Sequence, residues 1–161
     1  MGELFKINMG QSPKGNTYSK VSGKYILVQG NSDIKNGWVY PRIWTTQKTK
    51  IARAGDLIMS VRAPAGTIAK TKYDVVLGRG VASIEGNEFL FQYLFYLDQH
   101  RYWEKYSTGS TFDSLNYDAI YSASVYMTSS KEQNLMGDFL LKIDNLITLH
   151  QRKFRVIFIT V

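Results

Sequence analysis

The sequence contains no cysteine. That excludes disulfides, a thiolate nucleophile and cysteine-ligated zinc, and it agrees with a reducing compartment. Its two histidines, His100 and His150, lie far apart, and neither belongs to a His-x-x-x-His or His-Glu-x-x-His pattern. A metal site is therefore not expected, and each is read as a surface or seam residue. No apolar run approaches the roughly 20 residues that a membrane-spanning helix needs, and the N-terminus lacks the basic, apolar, small-residue order of a secretory signal. A soluble, cytoplasmic protein with no membrane partner is expected. Nucleotide-binding loops are missing as well. Gly78-Arg79-Gly80 is followed by Ser83 where a dinucleotide fingerprint needs glycine, and no glycine-rich loop ends in Gly-Lys-Ser or Gly-Lys-Thr. The hydroxyl run from Ser107 to Thr111 has no general base beside it, so it reads as a hydrogen-bonding loop rather than a nucleophile.

What remains is a basic, aromatic-rich chain. Its 161 residues, 44% hydrophobic, suffice for one core with an appendage and are few for two domains. Twenty Lys and Arg against thirteen Asp and Glu leave a net charge of +7. Such a balance suits a polyanionic partner, although it also serves simple solubility.

From Tyr25 to Ile84, short runs rich in Val, Ile, Tyr and Trp alternate with turn formers, the pattern of strands and loops. Strands are expected at 25–29, 37–40, 56–61, 67–70 and 81–85. Turns are expected at Gly30-Asn31, Asn36-Gly37, Pro64-Ala65-Gly66 and Gly78-Arg79-Gly80, because Gly and Asn tolerate positive φ. From Glu88 to about Tyr106, Gly and Pro disappear. Phe89, Leu90, Tyr93, Leu94, Leu97, Arg101 and Tyr102 then share one helical face, read as packing on the sheet.

A second helix is expected from Ser130 or Lys131 to about Lys153, opened by a serine cap and by Glu132 near the positive end of the helix dipole. Leu135, Met136, Phe139, Leu140, Ile143, Leu146, Ile147 and His150 form its apolar seam, which calls either for a partner helix or for the body of its own domain. The closing Phe-Arg-Val-Ile-Phe-Ile-Thr-Val, 154–161, is β-branched and almost uncharged, unlike a continuation of that helix. The fold class expected is α+β: a β-rich body with one packed helix, then a long helix of coiled-coil type.

Polar and basic residues concentrate in the loops. Ser, Thr, Asn and backbone N–H groups satisfy phosphate oxygens, Lys and Arg neutralise them, and Asn or Arg can pair with base edges. The residues favoured for DNA contact are Arg62 and Arg79, each at a strand end, followed by Lys14, Asn31, Ser110 and Thr111. Arg62 has a competing reading as a salt-bridge residue that holds its loop.

Three blocks carry a resemblance. Gly55-Asp56-Leu57-Ile58-Met59-Ser60-Val61-Arg62 with Gly66-Thr67-Ile68-Ala69, then Gly78-Arg79-Gly80-Val81-Ala82, then Ser107-Thr108-Gly109-Ser110-Thr111-Phe112 are similar, in order and spacing, to motifs of type I restriction-modification specificity subunits. The opening Met1 to Ile7 resembles the start of such a recognition domain. Glu132-Gln133, Ile143 to Ile147 and His150 to Lys153 resemble the beginning of its spacer helix. The resemblance divides the chain into a target recognition domain (1–128), a spacer or dimerisation helix (129–153) and an atypical tail (154–161).

That family implies a division of labour. Two recognition domains, held apart by antiparallel helices, each read half of a bipartite double-stranded DNA target. Modification subunits bring S-adenosylmethionine and methylate adenine, and ATP- and Mg-dependent restriction subunits cut. The chain itself is then non-catalytic and carries no cofactor, which agrees with the lack of an Asn-Pro-Pro or Asp-Pro-Pro tetrad. It departs from the family in having Val125 to Ser130 where prolines are usual, and in containing one recognition domain. A half-length or truncated subunit that pairs its helix with that of a second copy is expected. Two alternatives stand beside this: a truncated partner that binds modification subunits or another specificity subunit without reading DNA, and a small nuclease.

Overall fold

Residues 1–106 and 114–159 are described by the computed structural model, with the backbone alone described over 152–159. Eleven strands are present among them: β1 (Ile7–Met9), β2 (Tyr18–Ser19), β3 (Tyr25–Val28), β4 (Ile34–Lys35), β5 (Trp38–Val39), β6 (Ile43–Thr45), β7 (Lys50–Ala52), β8 (Leu57–Ser60), β9 (Ile68–Lys70), β10 (Val75–Leu77) and β11 (Val81–Ile84). The helices are α1 (Glu88–Gln99), α2 (Tyr117–Ser122) and α3 (Ser130–Ile159). Mixed sheets with helices set against them make the fold α+β. One sheet runs β1-β11-β8-β9-β5-β4 and the other β2-β6-β3-β10-β7.

The five expected strands coincide with β3, β5, β8, β9 and β11. β8 and β11 occupy the middle of the molecule, and their sequences show why. Side chains of a strand alternate between faces, and here both faces are covered. Ile58 and Val81 point into a cluster between the two sheets with Val28, Val75 and Leu77. Leu57, Met59, Ala82 and Ile84 point the other way, into the larger cluster with Leu90, Leu94 and Ile120. A strand buried on both sides reads as a continuous apolar run. β4 and β5 pair in the register Ile34↔Val39 and Lys35↔Trp38, joined by Asn36 and Gly37 at φ 52 and 73. That is the two-residue turn an Asn-Gly pair favours.

The first helix is shorter than its periodicity predicts. It ends at Gln99, the chain passes through Arg101 at φ 55, and a 3-10 turn over Tyr102–Tyr106 follows. The break lets Trp103, 3% exposed, enter the core beside Gly66. The buried face also differs: Leu90, Phe91, Leu94 and Leu97 are covered, while Phe89 and Tyr93 stack on each other at 6.1 Å and Arg101 is exposed. The helix lies between β9 and α3, so two directions of burial replace the single expected face.

The last helix carries its backbone to Ile159, beyond the end at Lys153 that the change of composition predicts. Its start is fastened to α1. Glu132 N–H donates to Ser129 Oγ at 3.3 Å, and Thr128 Oγ1 donates to the Glu132 carboxylate. Gln133 accepts from Asn87 Nδ2 at 3.0 Å while donating to Thr128 O at 2.7 Å. One turn on, a Cβ at Gly137 would stand 2.8 Å from Phe89 N, so the two helices meet where only glycine fits. Gln92 Nε2 donates to Asp144 at 2.7 Å. The residues at 133, 137, 140, 141 and 144 therefore form the inner face of α3.

Candidate nucleic-acid interface

Four loops are drawn to one end of the sheets by hydrogen bonds between residues remote in sequence. The 10–17 loop follows β1, with Gly10 N–H on Val81 O at 3.0 Å and Gln11 N–H on Leu77 O at 2.9 Å. The 78–80 turn lies against it, where Arg79 N–H donates to Ser12 Oγ at 3.0 Å. On its other side Gly78 N–H reaches Val28 O at 2.7 Å and Val61 N–H reaches Gly80 O at 2.9 Å. The 29–33 loop joins the 61–67 loop through Asn31, whose Nδ2 donates to Ser60 Oγ at 3.0 Å and to Pro64 O at 2.6 Å.

These approaches account for Gly80 of the second block and for Gly10 of the loop beside it. A Cβ at Gly80 would fall 2.1 Å from Gln29 O, and one at Gly10 would fall 2.0 Å from Gly78 O. Both lie far inside van der Waals contact, so the backbones meet only because these side chains are absent.

Arg62 and Arg79 are exposed at this end, and Lys14, two residues beyond Ser12, is exposed as well. Arg62 pairs through its backbone with Ser114, and Leu115 N–H donates to Val61 O at 2.9 Å. The expected hydroxyl loop thus rejoins the described chain beside Arg62, although Ser110 and Thr111 themselves lie outside the described residues. None of the ion pairs among the described residues involves Arg62, Arg79 or Lys14. At the opposite end of the strands, Lys6 pairs with Glu85 and Arg53 with Asp74, each at 2.7 Å. Asn31 shares the end with the two arginines, but both of its amide protons are committed to the protein.

One residue was not singled out in the sequence. Arg42 is half-exposed, with Nε on the buried Asp33 at 3.0 Å and a terminal nitrogen on Ser32 Oγ at 2.8 Å. Asp33 also accepts from Gln29 N–H at 2.7 Å, so it shapes the loop and aims the guanidinium together. Ser12, one of the polar loop residues expected to suit DNA, instead accepts from Arg79 N–H. Neither role has a local signature, since each residue acts on a partner across the fold. Asp98, at the end of α1 beside Gly66, has its carboxyl raised above the ordinary range by burial. Among the described residues no group of three or more His, Asp or Glu side chains is arranged to hold a metal ion.

The seam of α3 divides into two. Leu140 is half-buried on the side facing α1. Leu135 at 64%, Phe139 at 63% and Leu146 at 66% exposure, with Met136, Ile143 and Ile147, form a stripe open to solvent. His150 is exposed on the same stripe. No described helix is long and apolar enough to cross a membrane.

The Type I restriction modification DNA specificity domain family matches residues 1–157. The chain belongs to this family. Among specificity subunits, it is 29% identical over 157 residues to the putative type I restriction enzyme MjaX specificity subunit of Methanocaldococcus jannaschii, covering 94% of this chain and 36% of that protein. A chain from a solved structure of a type I R-M system, described for its complex assembly and conformational transition, superposes with a TM-score of 0.81 at 28% identity. That match covers 94% of this chain and 38% of the other. The HsdS subunit from Thermoanaerobacter tengcongensis gives 0.70 at 29% identity over 94% and 37%. The S subunit from M. genitalium, 14% identical, shares the fold at 0.66 over 88% and 37%. The present specificity domain thus spans little more than a third of the length of the relatives it matches.

Proposed function

We propose that this chain reads one half of a bipartite double-stranded DNA target and directs type I modification subunits, with restriction subunits behind them, to that target. The observation that supports this most is the gathering of four loops at one end of the sheets, where Arg62, Arg79 and Lys14 are exposed and enter no ion pair among the described residues. Unpaired cations on adjacent loops suit a phosphate backbone. Because Arg62 and Arg79 belong to the motif blocks, they orient the duplex, while the 12–22 and 31–46 loops, with Lys14 and Arg42 among them, reach base edges. Ser110 and Thr111, outside the described residues, are proposed as further hydroxyl contacts to phosphate. Asn31 serves this end from within. The chain is non-catalytic, and S-adenosylmethionine, ATP and Mg belong to the other subunits.

The exposed stripe from Leu135 to His150 supports a second element of this reading. A stripe of that length on one helix face is the surface a coiled-coil partner covers. The partner is a second copy of this chain, giving a two-fold dimer that restores two recognition domains and reads a palindromic bipartite site.

The test is methylation sequencing of a host that lacks its own specificity subunit, supplied with this chain and its modification subunit. A methylated adenine motif is expected, palindromic if two copies pair. Assembly of the complex without any methylated motif overturns the reading of DNA and leaves a partner that binds other subunits through α3.

A further inference from the structure

The two loops joined by Asn31 include the one that carries Arg62. Ser60 is fully buried, and its hydroxyl donates to Arg62 O at 2.9 Å. Its single proton is therefore occupied, and toward Asn31 the oxygen can only accept. Pro64 O, a carbonyl, can only accept as well. Position 31 must then supply two donors to two acceptors on either side of Arg62-Ala63-Pro64, and a carboxamide nitrogen does so from one atom. The distances are 3.0 Å to Ser60 Oγ and 2.6 Å to Pro64 O. Asn31 Oδ1 is buried and has no partner among the described residues, so the side chain's hydrogen bonds are made by its nitrogen. Reversing the amide would set oxygen against the Pro64 carbonyl and leave both acceptors without a donor.

We propose that Asn31 is a positioning residue for Arg62, gripping the arginine's turn from both sides so that the guanidinium stands at the DNA-facing end in a defined place. The inference rests on the reading of that end as a DNA interface. It differs from direct contact, because a neutral amide on a phosphate contributes affinity without counterion release, whereas a residue acting through Arg62 carries the arginine's own salt dependence.

The experiment measures binding of the full chain to a short random-sequence duplex across a salt series, for the wild type, Asn31→Ala, Arg62→Ala and the double variant, each below its own melting temperature. Arg62→Ala is expected to lower the salt slope by about one unit. Asn31→Ala is expected to lower it by the same amount although it removes no charge, and to add nothing in the Arg62→Ala background. Ser60→Ala breaks the same relay from the other side and substitutes for Asn31→Ala if that variant does not fold; it is expected to flatten the slope likewise. An unchanged slope in Asn31→Ala and Ser60→Ala beside a flattened one in Arg62→Ala overturns the positioning role alone. Additive losses in the double variant also overturn it. Failure of the wild-type chain to bind duplex overturns the reading of the DNA interface, and the positioning role with it.

Discussion

Arg79 N–H donates to the hydroxyl of Ser12 at 3.0 Å, tying the turn before β11 to the loop after β1. A backbone amide held in this way orients its own side chain, so the Arg79 guanidinium inherits its direction from a serine near the other end of the domain sequence. Ser12→Ala is expected to cost about 1 kcal/mol of stability, a fall in Tm of roughly 2–4 °C for a chain of this size. Affinity for random duplex should fall with it. A lower Tm with unchanged DNA affinity would dissociate Arg79 from the interface.

Gly80 leaves less room than any conformational argument requires, since its φ is not in the left-handed region and the barrier is contact alone. A Cβ would meet Gln29 O at 2.1 Å, a backbone atom that can yield only if β3 and the 29–33 loop shift. Gly80→Ala is expected to destabilise by at least the roughly 1–3 kcal/mol typical of overpacking. Denaturant titration checks this; a midpoint within error of wild type would show that the two loops are not in contact in solution.

Asp98 supplies a pH dependence of defined sign. Burial raises its folded pKa, so the folded state binds its proton more tightly than the unfolded chain does. The buried carboxylate then penalises folding above its folded pKa, and the penalty vanishes as pH falls below the ordinary carboxylate range near about 3.9. Asp98→Asn is expected to melt higher than wild type at neutral pH, with the gap closing in acid. A gap that stays constant or widens toward low pH contradicts this assignment.

Phe139 stands at the centre of the open stripe of α3, 63% exposed, with its inner-face neighbours Gly137 and Asp144 on the other side of the helix. Phe139→Glu is expected to convert a dimer to a monomer in light scattering while shifting the monomer's stability by less than about 0.5 kcal/mol. A wild-type chain that is monomeric at micromolar concentration, alone and with its modification subunit, rules out pairing through this stripe.

Much of the fold was legible in the residues. β8 and β11 declare themselves because both of their faces are buried, and the Asn36-Gly37 hairpin because its turn demands positive φ. The shorter strands were not legible. β2 and β4 contain two residues each and exist only because β6 and β5 offer them a neighbour, so no period can develop within them. β10 is buried throughout yet too short to be distinguished from any other apolar triplet. α2 is six residues long, opened by a side-chain cap, Asn116 Oδ1 accepting from Ala119 N–H at 2.8 Å, and held by burial of Ile120.

The amino-acid sequence by itself determined what the chain can be made of: packing without disulfides, a basic surface, a β-rich body, two long helical segments, and motif blocks that resemble specificity subunits. These follow from residue chemistry and from periodicities of two and 3.6 that act over neighbouring positions. Only the tertiary structure decided which loops stand together, that Asn31 faces inward while Arg62 and Arg79 face out, and which side of α3 remains open. Those outcomes turn on contacts between residues tens of positions apart, such as Ser12 with Arg79 and Gln29 with Gly80, and no local pattern encodes a hydrogen bond whose partner arrives from another strand.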